Sequence, residues 1–400
     1  MPELTKHLSR KIFFEIIKFM SIREIIVITG MRRTGKSSLL KMLFDATDND
    51  NKLLLDIENP LDSAIFEETN YNNIYKNLCD MGIRPEKKAH IFLDEIQSFP
   101  DIVKPLKYLY DHYDIKFIVT GSSSFYLKNL FPESLAGRKI EFELFPLDFD
   151  EFLYFKGQIT QLEPTAKNPL EISQSKILYE NRIKWFDEYM TFGGFPQVVL
   201  AETSDIKKAY LRDIFKSYFQ TDLLQLSNIR NITHLRNLII LLSTRVGNKV
   251  DITRLSSEID IGREAVYNYI AFLTGSYFFH FVLRYGKNAD KEISSTNKVF
   301  ICDNGLANEL TKLSEGQLLE NTVYLNLRKY GKVQYYHDKS QKEIDFVLPE
   351  YNLALEIKRN AIETDVNKLR RFSGEAGLEY SKIVSYTYST YENIIPACLI

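Results

Sequence analysis

Residues Gly30 to Ser37 have the types and spacing of a loop that binds phosphate. They read Gly-Met-Arg-Arg-Thr-Gly-Lys-Ser, and the two glycines let the backbone wrap closely around a phosphate with its amide groups pointing inward. We expect Lys36 to reach the β- and γ-phosphates of a nucleotide, and the hydroxyl of Ser37 to bind Mg²⁺. The predicted nucleotide contacts are the loop and the next residue: Gly30, Met31, Arg32, Arg33, Thr34, Gly35, Lys36, Ser37 and Ser38.

A second motif, Leu93-Asp94-Glu95, ends another apolar run downstream. At this distance from a P-loop, two acids at the end of a strand indicate a Walker B motif. We expect Asp94 to hold the Mg²⁺ shell opposite Ser37, and Glu95 to polarise the water that attacks the γ-phosphate. The alternative is an exposed turn after a buried strand.

The elements around these motifs are those that position such a site. Apolar residues 25–28 precede the loop as a strand, and a helix follows from Ser38, so the helix dipole favours a bound anion. Further strands are predicted at 52–57, 115–120 and 140–144. The polar tip of strand 115–120 resembles a sensor 1 position, where either Thr120 or Ser122 would help to orient the water and the γ-phosphate. The alternative is a polar turn that only ends the strand.

Bulk properties narrow the class of protein. With 400 residues, 44% apolar and 26% charged, the chain is typical of a globular protein of two to four domains. The net charge of −2 gives no global basic field for nucleic acid, although it is compatible with a local basic face. Cys79, Cys302 and Cys398 form no CxxC pair, which argues against a zinc site and a disulfide framework.

The cysteine usage also suits a reducing cytoplasm. No apolar run is long enough to span a bilayer, so we expect a cytoplasmic protein without membrane contact. The amphipathic N-terminus, residues 6–21, is predicted to be a helix packed on the following sheet, in preference to a helix on a membrane surface.

Residues 250–273 have the pattern of a helix-turn-helix. Two apolar runs, 277–283 and 298–301, would add a hairpin and complete a winged helix, with Arg284, Lys287 and Lys291 near the wing tip. If this module reads DNA, the second helix would present Arg263, Tyr267 and Asn268 outward. The alternative is a winged helix that packs against protein.

The C-terminal region carries three acids and a lysine in the order of a nuclease site. Glu320 lies on a predicted helix from 315 to 329, Asp345 on a strand, and Glu356 and Lys358 on the next strand. Residues two apart on a strand share a face, so Glu356 would bind Mg²⁺ or Mn²⁺ together with Asp345 and Glu320, while Lys358 would act catalytically on water or phosphate. The order matches the PD-(D/E)xK pattern, with Ile344 in place of proline. The alternative is a strand hairpin with solvated charges.

Together these motifs resemble the prokaryotic ATPases that couple an AAA-type (AAA+/STAND-like) P-loop domain to a C-terminal DUF4143 domain. The resemblance covers nearly the whole chain. Members typically end the P-loop in Lys-Thr, and Ser37 keeps the hydroxyl. The motifs that carry it are Gly30–Ser37, Leu93-Asp94-Glu95, Thr120-Gly121-Ser122, Ala136-Gly137-Arg138, Gly193-Gly194-Phe195-Pro196, Cys302-Asp303-Asn304-Gly305-Leu306 and the set Glu320, Asp345, Glu356 and Lys358.

The resemblance implies an α/β fold: an ASCE-type P-loop domain whose parallel five-stranded sheet has helices on both sides, followed by a helical lid, a winged helix and a restriction-endonuclease-like α/β domain. The expected boundaries are 1–150, 151–230, 231–300 and 301–400. It also implies that Arg138 is an arginine finger acting in trans within a homo-oligomer, or a phosphate sensor in cis. The alternative is a solvated surface arginine.

We therefore expect an ATPase that uses ATP and Mg²⁺, with Glu95, Lys36, Arg138 and Thr120 as catalytic residues. Its nucleotide state would control a C-terminal region that binds DNA, with cleavage left open. The alternatives are a nucleotide-switched module that binds protein, and a DNA-binding regulator without nuclease activity.

Overall fold

A computed structural model of the chain describes residues 8–122, 137–163, 168–172, 174–222, 232–286, 296–338 and 342–400. Two compact units divide the chain. The first comprises the chain as far as Phe145 with the short segments 161–164 and 275–277, and the second comprises the rest. The finer predicted boundaries at 230 and 300 fall inside the second unit and stay a prediction.

The first unit is built on a five-stranded sheet in the order β2-β3-β4-β1-β5. Every neighbouring pair is parallel, which confirms the predicted parallel core sheet. The order places β1, which leads into the phosphate loop, between β4 and β5, with β3 beside β4. The strands are β1 Ile25–Thr29, β2 Lys52–Asp56, β3 Ala89–Asp94, β4 Ile115–Gly121 and β5 Lys139–Glu143.

Helices cover both faces of this sheet. Alternate residues of β1 enter opposite cores: Ile25 and Val27 lie in one hydrophobic cluster, Ile26 and Ile28 in the other, as expected for a strand buried on both faces. The N-terminal helix contributes Ile16 to the second cluster, so it packs on the sheet as predicted. The described helices are α1 Lys11–Ile16, α2 Lys36–Ala46, α3 Pro60–Ser63, α4 Tyr71–Asp80 and α5 Val103–His112.

The second unit begins with a helical region. A long helix begins at Lys176, where the Ser175 hydroxyl caps it by accepting from Leu178 N at 3.3 Å. The described helices of the unit are α6 Phe149–Phe155, α7 Lys176–Phe192, α8 Pro196–Leu200, α9 Ser204–Ser217, α10 Ile232–Thr244, α11 Ile252–Glu258, α12 Arg263–Gly275, α13 Asn304–Leu310, α14 Glu315–Leu327 and α15 Glu363–Ala376.

Two sheets complete the second unit. Strands β6 Lys249–Val250, β7 Phe279–Val282 and β8 Asn297–Ile301 form an antiparallel sheet in the order β6-β8-β7. The second sheet is mixed and has the order β13-β12-β11-β10-β9. Its strands are β9 Gln334–His337, β10 Glu343–Leu348, β11 Leu353–Lys358, β12 Tyr380–Ser385 and β13 Ile394–Pro396.

The order α10, β6, α11, α12, β7, β8 is the order of elements in a winged helix. Asp251 caps α11, its carboxylate accepting from Thr253 N at 2.8 Å and Arg254 N at 3.1 Å. The predicted wing-tip residues Lys287 and Lys291 lie outside the described residues. The interpretation as a DNA-reading winged helix stays a prediction.

Two motifs without a predicted chemical role meet inside the second unit. The buried carboxylate of Asp303 accepts hydrogen bonds from Gly194 N at 2.7 Å and Leu306 N at 3.1 Å. Gly194 must be glycine, because a Cβ there would lie 2.3 Å from Leu147 O. The Gly-Gly-Phe-Pro turn and the Cys-Asp-Asn-Gly-Leu segment thus form one structural joint.

Candidate functional site

The phosphate loop follows β1 and bends as its glycines allow. Gly30 has φ 152° and Gly35, which precedes α2, has φ 99°. A Cβ at Gly30 would lie 2.1 Å from Leu144 O, after β5, so that position accepts no side chain. Arg33 adopts a left-handed conformation, with φ 66°, which is uncommon for a residue other than glycine. The sequence pattern and the observed backbone therefore agree at both glycines.

Lys36 is the buried cation of this loop. Its side chain is 3% exposed, and Nζ donates to Gly30 O at 3.0 Å and Met31 O at 3.1 Å. The same nitrogen lies 4.0 Å from Glu95 Oε1. The loop lysine and the second Walker B acid, which are far apart in sequence, are thus brought together.

The tip of β4 connects to both Walker B acids through Thr120. The Thr120 hydroxyl donates to Asp94 Oδ1 and accepts from Glu95 N at 3.0 Å. Glu95 has φ 52°, a left-handed conformation directly after β3, which is a strained state for a non-glycine residue. Of the two sensor 1 candidates, Thr120 makes contact with the acids.

Ser122, the other candidate, contacts the same region through its backbone. Ser122 N donates to Gln97 Oε1 at 3.2 Å, and Gln97 Nε2 donates to Glu95 Oε2. The Ser122 hydroxyl is buried and has no hydrogen-bond partner in the described part of the chain. Gln97 therefore links the tip of β4 to the predicted catalytic carboxylate.

Arg10 and Gln97 were not predicted to belong to the site. Arg10, just before α1, is buried and donates from Nη1 to Thr34 O at 2.9 Å and from Nη2 to Phe145 O at 2.8 Å. The first bond supports the phosphate loop from the N-terminal segment. These bonds join residues that are 24 and 135 positions apart, so no local pattern could indicate them. For Gln97, its place two residues after Glu95 was the available signal.

Arg138 lies away from the phosphate loop of its own chain. Its carbonyl accepts from Ile25 N at 2.8 Å, at the start of β1, whereas the loop follows the end of β1. At about 3.3 Å per residue, the two ends are roughly 16 Å apart. Its Nε pairs with Asp111 Oδ1 at 3.0 Å. The predicted roles of Arg138, in cis or in trans, stay predictions.

The predicted nuclease residues lie on the predicted elements. Glu320 is on α14, Asp345 on β10, and Glu356 and Lys358 on β11. Asp345 Oδ2 accepts from Ile357 N on the neighbouring strand at 2.8 Å, and Lys358 Nζ donates to Glu356 Oε1 at 2.9 Å. Glu356 and Lys358 also line a cavity of 620 Å³.

Two of the acids, Glu320 and Asp345, lie beside a lysine, and the predicted metal set of Glu320, Asp345 and Glu356 stays a prediction. In the described residues, no group of three or more His, Cys, Asp or Glu side chains is placed to hold a metal ion. Instead Lys298 Nζ lies among carboxylates, 3.1 Å from Glu320 Oε1 and 3.6 Å from Asp345 Oδ1. Burial raises the pKa of Glu320 to about 7, although Lys298 acts in the opposite direction.

The residues predicted to face DNA share one exposed side of α12. Arg263, Tyr267 and Asn268 are exposed, while Val266 and Tyr269 between and beside them are buried. Tyr267 has 59% of its surface exposed. Concerning membranes, the described helices include none with the length and apolarity needed to cross a bilayer.

Comparison with known proteins identifies three family matches along the chain. Residues 22–153 match a family described as an AAA domain. Residues 183–317 match a domain of unknown function (DUF8612), a segment that extends across the predicted boundaries at 230 and 300. Residues 315–396 match a domain of unknown function (DUF4143).

Relatives of similar length come from distant organisms. The uncharacterized protein MJ1544 of Methanocaldococcus jannaschii is 28% identical over 387 residues, which cover 92% of this chain and 83% of the relative. An uncharacterized protein of Haemophilus influenzae is 26% identical, and the match covers 88% of this chain and 87% of the relative. Among solved structures, the Aeropyrum pernix ORC1 protein in complex with DNA aligns with 13% identity over 77% of this chain and 93% of that chain. The TM-score of this alignment is 0.31. The chain is thus similar to AAA domains over residues 22–153 and to the DUF4143 family over residues 315–396.

Proposed function

We propose that this protein hydrolyses ATP at the site formed by the phosphate loop and the ends of β3 and β4. The observation that carries the proposal is the joint placement of three groups. Lys36 Nζ lies 4.0 Å from Glu95 Oε1, and the Thr120 hydroxyl contacts both Asp94 and the backbone of Glu95. A cation for phosphate, a carboxylate for water and a hydroxyl that orients the acids are the parts that phosphoryl transfer to water requires.

Each side chain has a distinct role in this proposal. Lys36 exchanges its bonds with loop carbonyls for the β- and γ-phosphates and offsets the charge that develops on them. Glu95 accepts a hydrogen bond from the attacking water and orients it. Thr120 keeps Asp94 and the backbone of Glu95 in register with each other.

The residues present also fit Mg²⁺. Ser37 and Asp94 would hold it through a hydroxyl and a carboxylate, the hard oxygen donors that this ion prefers. When bound, the ion would neutralise charge on the phosphates.

Replacing the proposed water-orienting acid tests this function. Glu95→Gln should lower the kcat for phosphate release by about 10²- to 10⁴-fold, the usual effect of losing a general base. It should retain binding of a fluorescent ATP analogue, because Lys36 and the loop are unchanged. Glu67→Gln, at an exposed position of the same unit, is the matched control. Unchanged turnover in Glu95→Gln would assign the water to another residue.

As a second function, we propose that the exposed side of α12 binds DNA and that the nucleotide state controls this binding. The supporting observation is that Arg263, Tyr267 and Asn268 are exposed together on the second helix of a helix-turn-helix. Arginine and asparagine are the side chains that read base edges and phosphates in such helices.

DNA affinity should differ between ATP- and ADP-bound protein, and a Lys36→Ala variant should lose the difference. Equal affinities would favour the alternative, a nucleotide-switched module that binds protein. Cleavage is not included, because the acids of the DUF4143 domain surround a lysine.

A further inference from the structure

The acidic cluster of the DUF4143 domain has a buried lysine at its centre. Lys298 lies on β8, where its neighbours across the sheet are Lys249 on β6 and Val282 on β7. Its side chain is 2% exposed, although the ammonium group is charged. Such burial is tolerated only when the charge is paired and hydrogen-bonded.

Three carboxylates supply those partners. Lys298 Nζ lies 2.6 Å from Glu343 Oε1, 3.1 Å from Glu320 Oε1 and 3.6 Å from Asp345 Oδ1. An ammonium group has three N–H donors and no acceptor. Glu343 and Glu320 lie within hydrogen-bond distance of it, and Asp345 adds a third negative charge at 3.6 Å. Burial alone would lower the pKa of Lys298, but the carboxylates outweigh it and the pKa is raised. The lysine therefore stays a cation inside the cluster.

The surroundings hold these carboxylates in place. Glu343 also pairs with Lys249 Nζ at 2.9 Å through its second oxygen. Asp345 accepts from Ile357 N at 2.8 Å. Glu320 lies against Gly247, where a Cβ would come within 2.7 Å of Glu320 Oε2. These contacts hold the three acids around the ammonium group.

This arrangement does not fit a divalent metal. Mg²⁺ and Mn²⁺ require several oxygen donors converging at about 2.0–2.2 Å, and Glu320 and Asp345, two of the predicted ligands, converge on Lys298 instead. A second cation at the same point would meet a like charge in a buried setting. The remaining acid, Glu356, is paired with Lys358.

We propose that Lys298 is a built-in cation that takes the metal position of this nuclease-like site and closes it to divalent metal ions. The DUF4143 domain of this chain is then a metal-free module that does not cleave nucleic acid. This inference is independent of ATP hydrolysis, since its residues all belong to the second unit.

Removing the Lys298 cation tests the proposal, because the variant should gain a binding site for a divalent metal ion. Mn²⁺ binding to the full-length protein without nucleotide is measured by calorimetry and by electron paramagnetic resonance, together with the Tm. Lys298→Met should have a lower Tm, because Glu320 and Asp345 lose the cation beside them. It should bind one more Mn²⁺ per chain than the wild type, and Mn²⁺ should raise its Tm. Lys298→Arg keeps the charge and should gain no metal.

The location of the gained metal is checked with a double variant. Adding Asp345→Asn to Lys298→Met should abolish the additional Mn²⁺. Recovery of a folded Lys298→Met protein only when Mn²⁺ is present would equally support the proposal. A folded Lys298→Met protein with wild-type Mn²⁺ stoichiometry would contradict it.

The wild type provides a test that does not depend on the folding of Lys298→Met. Glu320→Gln and Asp345→Asn should have the same Mn²⁺ stoichiometry as the wild type, because the cluster holds no metal to lose. A wild-type Mn²⁺ that disappears in either variant, or metal-dependent DNA cleavage lost in Glu356→Gln, would overturn the proposal.

Discussion

Thr120 is the residue that connects the two acids of the proposed ATPase site. Its single hydroxyl contacts Asp94 Oδ1 and Glu95 N, so its loss would release both the metal-binding acid and the strained backbone of the water-orienting acid. Small displacements of catalytic groups cost about 10²-fold in rate. We expect Thr120→Val to lower the kcat of ATP hydrolysis by about that factor, with little change in KM, as measured by steady-state phosphate release.

Thr120→Ser is the matched control for this prediction. It keeps the hydroxyl and should retain most of the turnover. If Thr120→Val hydrolyses ATP as fast as the wild type, Thr120 only ends a strand, which was the alternative prediction from the sequence.

Asp303 makes stability depend on pH in the second unit. Burial raises its pKa from 3.8 to about 6, although hydrogen bonds from Gly194, Leu306 and Gly305 lower it. A carboxyl whose pKa is raised by folding contributes stability below its unfolded pKa, and this contribution is lost as pH rises through the folded pKa. The shift corresponds to roughly 3 kcal/mol, at about 1.4 kcal/mol for each pH unit.

The prediction follows from the sign of this shift. Between pH 4 and about 7, the free energy of unfolding of the wild type should fall relative to that of Asp303→Asn, which does not titrate. Denaturant unfolding of both proteins at several pH values measures the difference. Parallel pH profiles would show that Asp303 has an ordinary pKa in the folded protein.

The exposed side of helix α12 is the surface that we propose to bind DNA. Arg263→Ala should weaken DNA binding and reduce the dependence of log K on log salt by about 1, because one phosphate contact is lost. Tyr267→Ala should weaken binding without changing that slope. Fluorescence polarisation over a salt series measures both. Arg236, exposed on α10, provides the control substitution to Ala, and an equal effect of Arg236→Ala would mean that α12 is not the specific contact.

The strands of the first unit could be predicted because each is a short apolar run with a motif at its end. The predicted runs 25–28 and 115–120 became β1 and β4, each longer by one residue, and the run that ends in Asp94 became β3. Motif spacing then placed Lys36 in the loop after β1 and Asp94 at the end of β3, and left Thr120 and Ser122 as alternatives at the end of β4. Local pattern was sufficient for β1 and β4, since both are buried along their whole length and need a mainly apolar sequence.

Long-range polar contacts could not be predicted in the same way. Lys298 begins an apolar strand and was interpreted only as part of a hairpin, whereas its partners lie on α14 and β10. Arg10 reaches the phosphate loop across 24 positions. A lysine at the start of an apolar strand was the available signal for Lys298. Its meaning depends on which acids the fold brings near it.

At the scale of the whole molecule, Arg138 concerns the assembly of two or more copies of the chain. It lies at the far end of the sheet from the loop of its own chain, so we propose that it acts on the nucleotide of a second copy. Its pair with Asp111 is partly exposed, at 35% and 33%, and such pairs contribute at most about 1 kcal/mol. Arg138→Ala should therefore lose turnover with little loss of stability.

Mixing inactive variants distinguishes an Arg138 that acts on the nucleotide of its own chain from one that acts on the nucleotide of a second copy. Arg138→Ala and Glu95→Gln proteins should each be inactive, and their mixture should recover part of the turnover if Arg138 acts in trans. Asp111→Asn, which removes only the ion pair, should stay active. Turnover in Arg138→Ala alone that equals the wild type would make Arg138 a surface arginine.

The central claim is that the first unit hydrolyses ATP with Lys36 as the phosphate-binding cation. The most direct measurement is steady-state ATP turnover by the full-length protein with Mg²⁺, for the wild type, Lys36→Ala and Lys41→Ala, the last an exposed lysine on the same helix. Loss of one preorganised charge at the transferring phosphate costs about 10²- to 10³-fold. We predict a loss of at least that size in Lys36→Ala and none in Lys41→Ala. Equal turnover in the wild type and Lys36→Ala would contradict the account.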